Sequence, residues 1–208
     1  MDGVWSEIGR PNRFEVDLDA VAHNTEVVRK LVGPGPRIFA ALKADAYGYG
    51  IVEVARTVLS SGADAISLVN LFDGVKLRDH GISAPLLLYA GAWPTADVVR
   101  MLDRYDFMPT VLDIRTAELI SSLCRRELKV FVKVDVGLER LGIRPDGLVD
   151  FVAELTRLPR LKVHGIYAHM HVPDGPEVAE YLQWQFDRFT SALERLQQSG
   201  CVVPSPWW

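Results

Sequence analysis

Apolar and polar positions alternate between two periods along this chain. Short, nearly continuous apolar runs occur at Arg37–Lys43, Asp64–Asn70, Pro85–Ala90, Phe107–Leu112, Lys129–Asp135 and Leu161–His169. Runs of this length with no polar face predict strands of a parallel sheet covered on both sides. Stretches of helical period lie between them. Ile51–Ser61 places Val52, Ala55, Val58 and Leu59 on one face, and Arg115–Cys124 does the same with Ala117, Leu119, Ile120 and Leu123. The longest, Val178–Ser199, carries Tyr181, Trp184, Phe186, Phe189, Leu193 and Leu196. Asp113 and Thr95 stand where helix N-caps belong, and Gly62, Gly81 and Gly200 where helices end.

The pattern is a strand–helix unit repeated six times. Its spacing averages about 25 residues, near that of an eight-unit barrel of roughly 250 residues. The expected fold is α/β, of the (β/α)8 TIM-barrel type, incomplete at about six to seven units. An open doubly wound sheet shares the alternation, but no Gly-x-Gly-x-x-Gly turn follows the first strand. Arg13–Asp19 (RFEVDLD) alternates with period two and predicts an extra strand, leading into a helix at about Asp19–Leu31.

Composition narrows the class. The 208 residues are 49% hydrophobic and 24% charged, with a net charge of −4. This excludes a disordered or collagen-like chain. No apolar run approaches the roughly 18–20 residues that span a bilayer, so no membrane partner is expected. The N-terminus has no secretory h-region. The two cysteines make no disulfide framework, which points to a reducing, cytoplasmic setting. No basic stripe appears, so nucleic acid is not an expected partner.

In such folds the chemistry sits at the C-terminal ends of the strands. The first predicted strand ends in Lys43-Ala44-Asp45-Ala46-Tyr47-Gly48-Tyr49-Gly50. A lysine in a desolvated mouth loses proton affinity and becomes a candidate Schiff-base former; a lysine solvated at a strand end is the other reading. The fifth continues from Lys133 and Asp135, which share a face, to Arg140 and Arg144. Those charges form a structural Lys–Asp pair or serve a site. The sixth ends with His169 and His171, on one face if the strand runs that far. A His-x-His there can ligate a metal, but no clear third and fourth ligands stand at other strand ends, so no metal site is assigned. Cys124, Trp93, Tyr89 and Met101 read as packing residues.

Together these three strand ends resemble the alanine racemase family, the barrel-type pyridoxal-phosphate enzymes. Lys43 to Gly50 is similar to the family's lysine segment. Lys133 to Pro145 is similar to its lysine–aspartate–glycine–arginine segment, and Gly165 to Asp174 to its histidine segment. RFEVDLDAVAHN is similar to its opening strand and helix, and the likeness runs from about Arg13 to Gly200. The resemblance implies that Lys43 carries pyridoxal 5′-phosphate as a Schiff base and acts as one of two acid–base groups. It implies that Tyr47 reaches the phosphate, and that His169 lies against the pyridine ring. Arg140 would hold the phenolic oxygen and the region of the substrate carboxylate. Lys133, carbamylated in many members, would orient Arg140. Val136, Glu139 and His171 depart from the family pattern, and Glu139 beside Arg140 bears on substrate fit.

The resemblance also implies features beyond this chain's motifs. In the family, residues on the seventh and eighth strands hold the phosphate and the pyridine nitrogen. A tyrosine of a C-terminal β domain, donated across a homodimer, is the second acid–base group. After Gly200 only Cys201 to Trp208 remain, and Pro204 and Pro206 interrupt any strand begun at Cys201–Val203. The expectation is that residues 1–208 are the N-terminal cofactor-binding barrel domain, truncated, with the β domain absent; a naturally short single-domain relative is the alternative. Open strand edges predict self-association, and missing phosphate contacts predict weak cofactor binding. The expected function is interconversion of L- and D-alanine by Cα proton transfer, with doubtful turnover in this chain. A cofactor-binding module without turnover, or a metal-dependent hydrolase using His169 and His171, are the alternatives.

Overall fold

A computed structural model describes residues 14–89, 95–172, 174–175 and 178–201. Trp93 and most of the expected seventh-strand start lie outside them. Six strands form one sheet: β1 (Phe39–Ala41), β2 (Ala65–Leu68), β3 (Leu86–Leu88), β4 (Phe107–Val111), β5 (Leu128–Val134) and β6 (Leu161–Ala168). Every neighbouring pair is parallel, and spatial order equals chain order, β1 to β6. This decides between the two α/β architectures. A doubly wound sheet reverses its strand order at a switch point, whereas a barrel adds each strand beside the last.

The helices are α1 (Leu18–Val32), α2 (Lys43–Tyr47), α3 (Ile51–Ser60), α4 (Leu71–Asp79), α5 (Ala96–Tyr105), α6 (Ile114–Leu123), α7 (Leu148–Leu155) and α8 (Val178–Gln198), with a 3-10 turn at Pro145–Gly147. Thr95 and Asp113 cap α5 and α6 through their side chains, accepting from Val98 and Thr116 N–H groups. The expected N-terminal strand is different in the structure. Phe14–Asp17 pair with no strand among the described residues, and the Asp17 carboxylate accepts the Ala20 N–H at 3.0 Å. A lone strand leaves its backbone groups without partners, while Asp17 as an N-cap satisfies one of the helix's free donors.

Alternate residues of each strand go to opposite faces, and two cores result. The outer one lies between sheet and helices, where Ile66, Leu68, Leu86, Leu88, Phe107, Val132 and Val134 meet Ile51, Leu77, Leu102, Ile120 and Leu155. The inner one is small: Leu87, Met108 and Phe131, flanked by Phe39, Tyr89 and Tyr167. Phe39 and Phe131 meet edge to face at 6.0 Å although β1 and β5 are not neighbours, so the sheet is curled. Gly165 on β6 makes room for this. A Cβ there would lie 2.5 Å from the Phe131 ring.

Arg78 ties the outer layer together. From α4 it donates to the carbonyls of Tyr105, Ile82 and Ala84 at 3.0, 2.6 and 2.9 Å and lies over the Phe107 ring at 5.8 Å. Burial lowers its pKa, with Asp106 opposing. Arg78→Met keeps the apolar stem but strands three carbonyls. It is expected to cost about 2–3 kcal/mol, read as a lower urea midpoint at unchanged slope.

Candidate active site

The mouth of the curled sheet is built from segments that leave β1, β5 and β6. Lys43 follows β1 directly and is exposed, with Nζ 5.8 Å from the centre of the Tyr47 ring. Among the described residues no carboxylate pairs with it. The backbone from Ala44 to Tyr47 is left-handed, with φ of 53, 54, 55 and 59°. Four such non-glycine residues in a row cost about 1–2 kcal/mol each, so the surroundings must enforce them. Gly48 N–H donates to the Ala44 carbonyl at 3.0 Å, and Gly50 N–H to that of Asp45 at 3.0 Å. The Asp45 carboxylate accepts the Ile51 N–H opening α3 and the Lys76 ammonium, each at 3.1 Å. Those bonds, the Ile51 one foremost, hold its pKa below the usual carboxylate range.

Lys133 is 4% exposed near the end of β5. Burial, then the charge of Arg140, lowers its pKa, with Asp135 opposing. The structural Lys–Asp pair does not form as an ion pair. Asp135 instead turns its Oδ1 to the Gly137 and Glu139 N–H groups, at 3.0 and 3.1 Å. Burial alone would raise the Asp135 pKa. The bonds from the loop backbone, helped by the Lys133 charge, outweigh it and leave the pKa lowered. The carboxylate thus organises the loop that carries exposed Arg140.

His169 lies one residue past β6. Partial burial, then the charges of Arg140, Lys133, Lys43 and His171, holds its pKa below the ordinary value. That Lys43 acts on His169 is informative, because β1 and β6 are the two edges of the sheet. Curvature brings them to one mouth. The strand does not run as far as His171: β6 ends at Ala168, and the His171 ring meets Tyr181 of α8 edge-on at 6.1 Å. Among the described residues no group of three His, Cys, Asp or Glu is placed to hold a metal.

A polar layer floors the mouth. The Tyr167 hydroxyl lies 3.0 Å from Thr110 Oγ1 and 3.2 Å from the Tyr89 carbonyl oxygen, and Thr110 donates to the Leu88 carbonyl at 2.7 Å. Burial pushes the Tyr167 phenol up to about 12. Burial also raises that of Tyr89, with the Ser67 hydroxyl opposing and Tyr47 adding to the rise.

The sequence profile of the alanine racemase N-terminal domain matches residues 16–207. The chain belongs to the alanine racemase family. The alanine racemase of Synechocystis is 35% identical over 193 residues, covering 91% of this chain and 51% of that protein. That of Desulforamulus reducens is 36% identical over 191 residues, covering 89% and 50%. The crystal structure of alanine racemase from Corynebacterium glutamicum superposes with a TM-score of 0.79 at 28% identity, over 92% of this chain and 54% of that one. The Bacillus anthracis enzyme, solved with bound L-Ala-P, gives 0.83 at 27%, over 94% and 52%. The chain therefore spans about half the length of the relatives it matches.

Within this alanine racemase fold the structure gathers Lys43, Tyr47, Lys133, Arg140 and His169 at one mouth. It also places there residues the pattern of the sequence did not single out. Thr110 and Tyr167 are polar positions inside apolar strands, and their register marks the inner face: Thr110 pairs with Phe131, and Tyr167 with Lys133. Tyr89, expected to be a packing residue, accepts the Tyr167 hydroxyl at its carbonyl and sets its ring 5.9 Å from that of Tyr167. Cys124 is buried away from the mouth, its thiol pushed up to about 11 by burial. No helix among the described residues is long and apolar enough to cross a membrane.

Proposed function

We propose that this chain is the cofactor-bearing barrel of a pyridoxal-phosphate-dependent amino-acid racemase that interconverts L- and D-alanine. One observation carries the reading. Lys43, Lys133, Arg140 and His169 converge at a single mouth, while the nearby carboxylates of Asp45 and Asp135 are engaged by backbone N–H groups. Such a mouth suits a small, planar, anionic group that bears an aldehyde for Lys43. When bound, pyridoxal phosphate supplies an electron sink for the carbanion formed at the substrate Cα.

The chain's own residues take the following parts. The Lys43 amine removes and returns the Cα proton on one face. Tyr47, on the same side of the left-handed turn, donates its hydroxyl to phosphate. Arg140 holds the phenolic oxygen and orients the substrate carboxylate. His169, its pKa lowered by partial burial and then by its cationic neighbours, would pack against the ring. Lys133 as a carbamate would face Arg140 as an anion, turning a like-charge contact into an ion pair. The resemblance assigns the second acid–base group to a tyrosine of the family's C-terminal β domain, beyond the N-terminal domain matched here. The outer edges of β1 and β6, unpaired among the described residues, suit association with a second copy or with the rest of a barrel.

The test uses the chain and a fusion carrying the C-terminal half of the Synechocystis relative. Each is incubated with pyridoxal phosphate and L-alanine, and D-alanine is read by chiral chromatography. The fusion is expected to racemise, and the chain alone to bind cofactor with little turnover. A fusion that binds the cofactor at Lys43 and makes no D-alanine would leave a binding module without turnover.

A further inference from the structure

Helix α8 is the longest helix among the described residues, and its N-terminal half touches the two loops that carry Arg140 and His169. Gln185 is 0% exposed, an unusual place for a side-chain amide. Its Oε1 accepts the His171 N–H at 2.8 Å, and its Nε2 donates to the His171 carbonyl at 2.8 Å. Both backbone groups of one loop residue are thus satisfied by one side chain from another element. One turn earlier, Tyr181 donates its hydroxyl to the Gly137 carbonyl at 3.0 Å. Its ring stacks on Trp184 at 5.3 Å. Gly137 has φ of 138°, and a Cβ there would come 2.7 Å from the Trp184 ring, so the loop lies against α8 at backbone distance.

His171 is two residues past His169, and Gly137 is three residues before Arg140 and donates its N–H to the loop-organising Asp135. We propose that Gln185 and Tyr181 are positioning residues that tie the loops after β5 and β6 to α8 and so set Arg140 and His169 against each other; the catalytic meaning of that geometry rests on the racemase reading. The physical argument is one of loop entropy. Each loop leaves its own strand with freedom of its own, and a shared anchor on a rigid helix removes the relative part of that freedom before a ligand arrives.

The experiment compares the chain with Gln185→Met, which keeps the bulk and loses both bonds, and Tyr181→Phe, which loses only the hydroxyl. Histidine ring signals are followed by NMR across pH, alongside hydrogen exchange at the His171 amide and pyridoxal phosphate titration with borohydride trapping at Lys43. In Gln185→Met the His171 amide is expected to lose protection. The His169 titration is expected to move up toward the ordinary histidine value as the ring loses its partial burial and then the field of Arg140, Lys133 and Lys43. Cofactor affinity is expected to fall roughly tenfold, the scale of losing two hydrogen bonds at a site. Tyr181→Phe is expected to shift the His169 titration the same way by a smaller amount. Folded variants with an unchanged His169 titration would overturn the proposal. If Gln185→Met does not fold, Tyr181→Phe decides on the same readout. If the wild-type chain takes up no cofactor at Lys43 while the titrations shift as expected, the positioning stands and the racemase reading falls.

Discussion

Replacing Lys43 with alanine removes every trace of borohydride-trapped cofactor from the chain and leaves its stability unchanged within about 0.5 kcal/mol, as for an exposed side chain. The two halves of this expectation have separate grounds. Lys43 is solvent-facing, and its described side-chain contact is the Tyr47 ring at 5.8 Å, so packing loses little. Lys133, the other amine at the mouth, is 4% exposed and feels the charge of Arg140; its burial denies it the access that a covalent anchor needs. In the fusion that supplies a second domain, the same substitution is expected to lower racemisation by roughly 10⁴-fold or more, the scale seen when a covalent group is removed. Peptide mapping of the trapped product checks the first statement and thermal unfolding the second. Trapping that persists at another lysine in Lys43→Ala would refute the assignment.

Lys133→Met stabilises the chain at neutral pH in carbon-dioxide-free buffer, by about 1–3 kcal/mol, because an apolar side chain replaces a buried cation that has an arginine for a neighbour. The sign with pH follows from the lowered pKa. Between the folded value and the higher unfolded one, the unfolded chain binds a proton that the folded chain does not, so wild-type stability rises with pH across that window. Below the folded value the full penalty of the charged amine remains. The advantage of Lys133→Met is therefore greatest at low pH and shrinks as pH rises. Bicarbonate should reverse the order. The neutral amine attacks carbon dioxide, an N–C bond forms, a proton leaves, and the resulting anion faces Arg140. With ¹³C-bicarbonate a carbamate signal is expected in the wild type, stronger at higher pH and absent in Lys133→Met. A variant that stays the more stable protein in bicarbonate, with no carbamate in the wild type, would exclude this role.

Much of the architecture could be read from apolar periodicity. All six runs are strands, their ends matching within two residues, because a buried parallel strand needs both faces apolar and leaves an uninterrupted signature. Helices with a clear stripe were legible too, and so were the caps Thr95 and Asp113. Helices α4 and α7 were not individually legible. In α4 (LFDGVKLRD) the apolar positions are scattered, and α7 is short. RFEVDLD misleads because period-two alternation does not require a strand. Asp17 has a better use as a helix cap, and no neighbouring strand is present among the described residues to pair with.

The candidate site was legible as residue types at strand ends, Lys43, Lys133, Arg140 and His169, because a charge closing an apolar strand is conspicuous. What those charges do to each other was not. Lys133 and Asp135 share a strand face and suggest an ion pair, yet Asp135 is taken by the loop N–H groups of Gly137 and Glu139. Nor does the pattern show that Gln185, fourteen residues further on, holds the His171 backbone.

The sequence by its own pattern determined the strand–helix repeat, the order of its units and the side chains available at the strand ends, since these depend on periods of two to four residues. Only the tertiary structure decided that the sheet curls until Lys43 on one edge acts on His169 on the other, that four left-handed residues turn Lys43 and Tyr47 to one side, and that α8 anchors both loops. Each is a contact between residues distant in the chain. Its energy depends on which groups are buried together and which are already satisfied, and no local period records that.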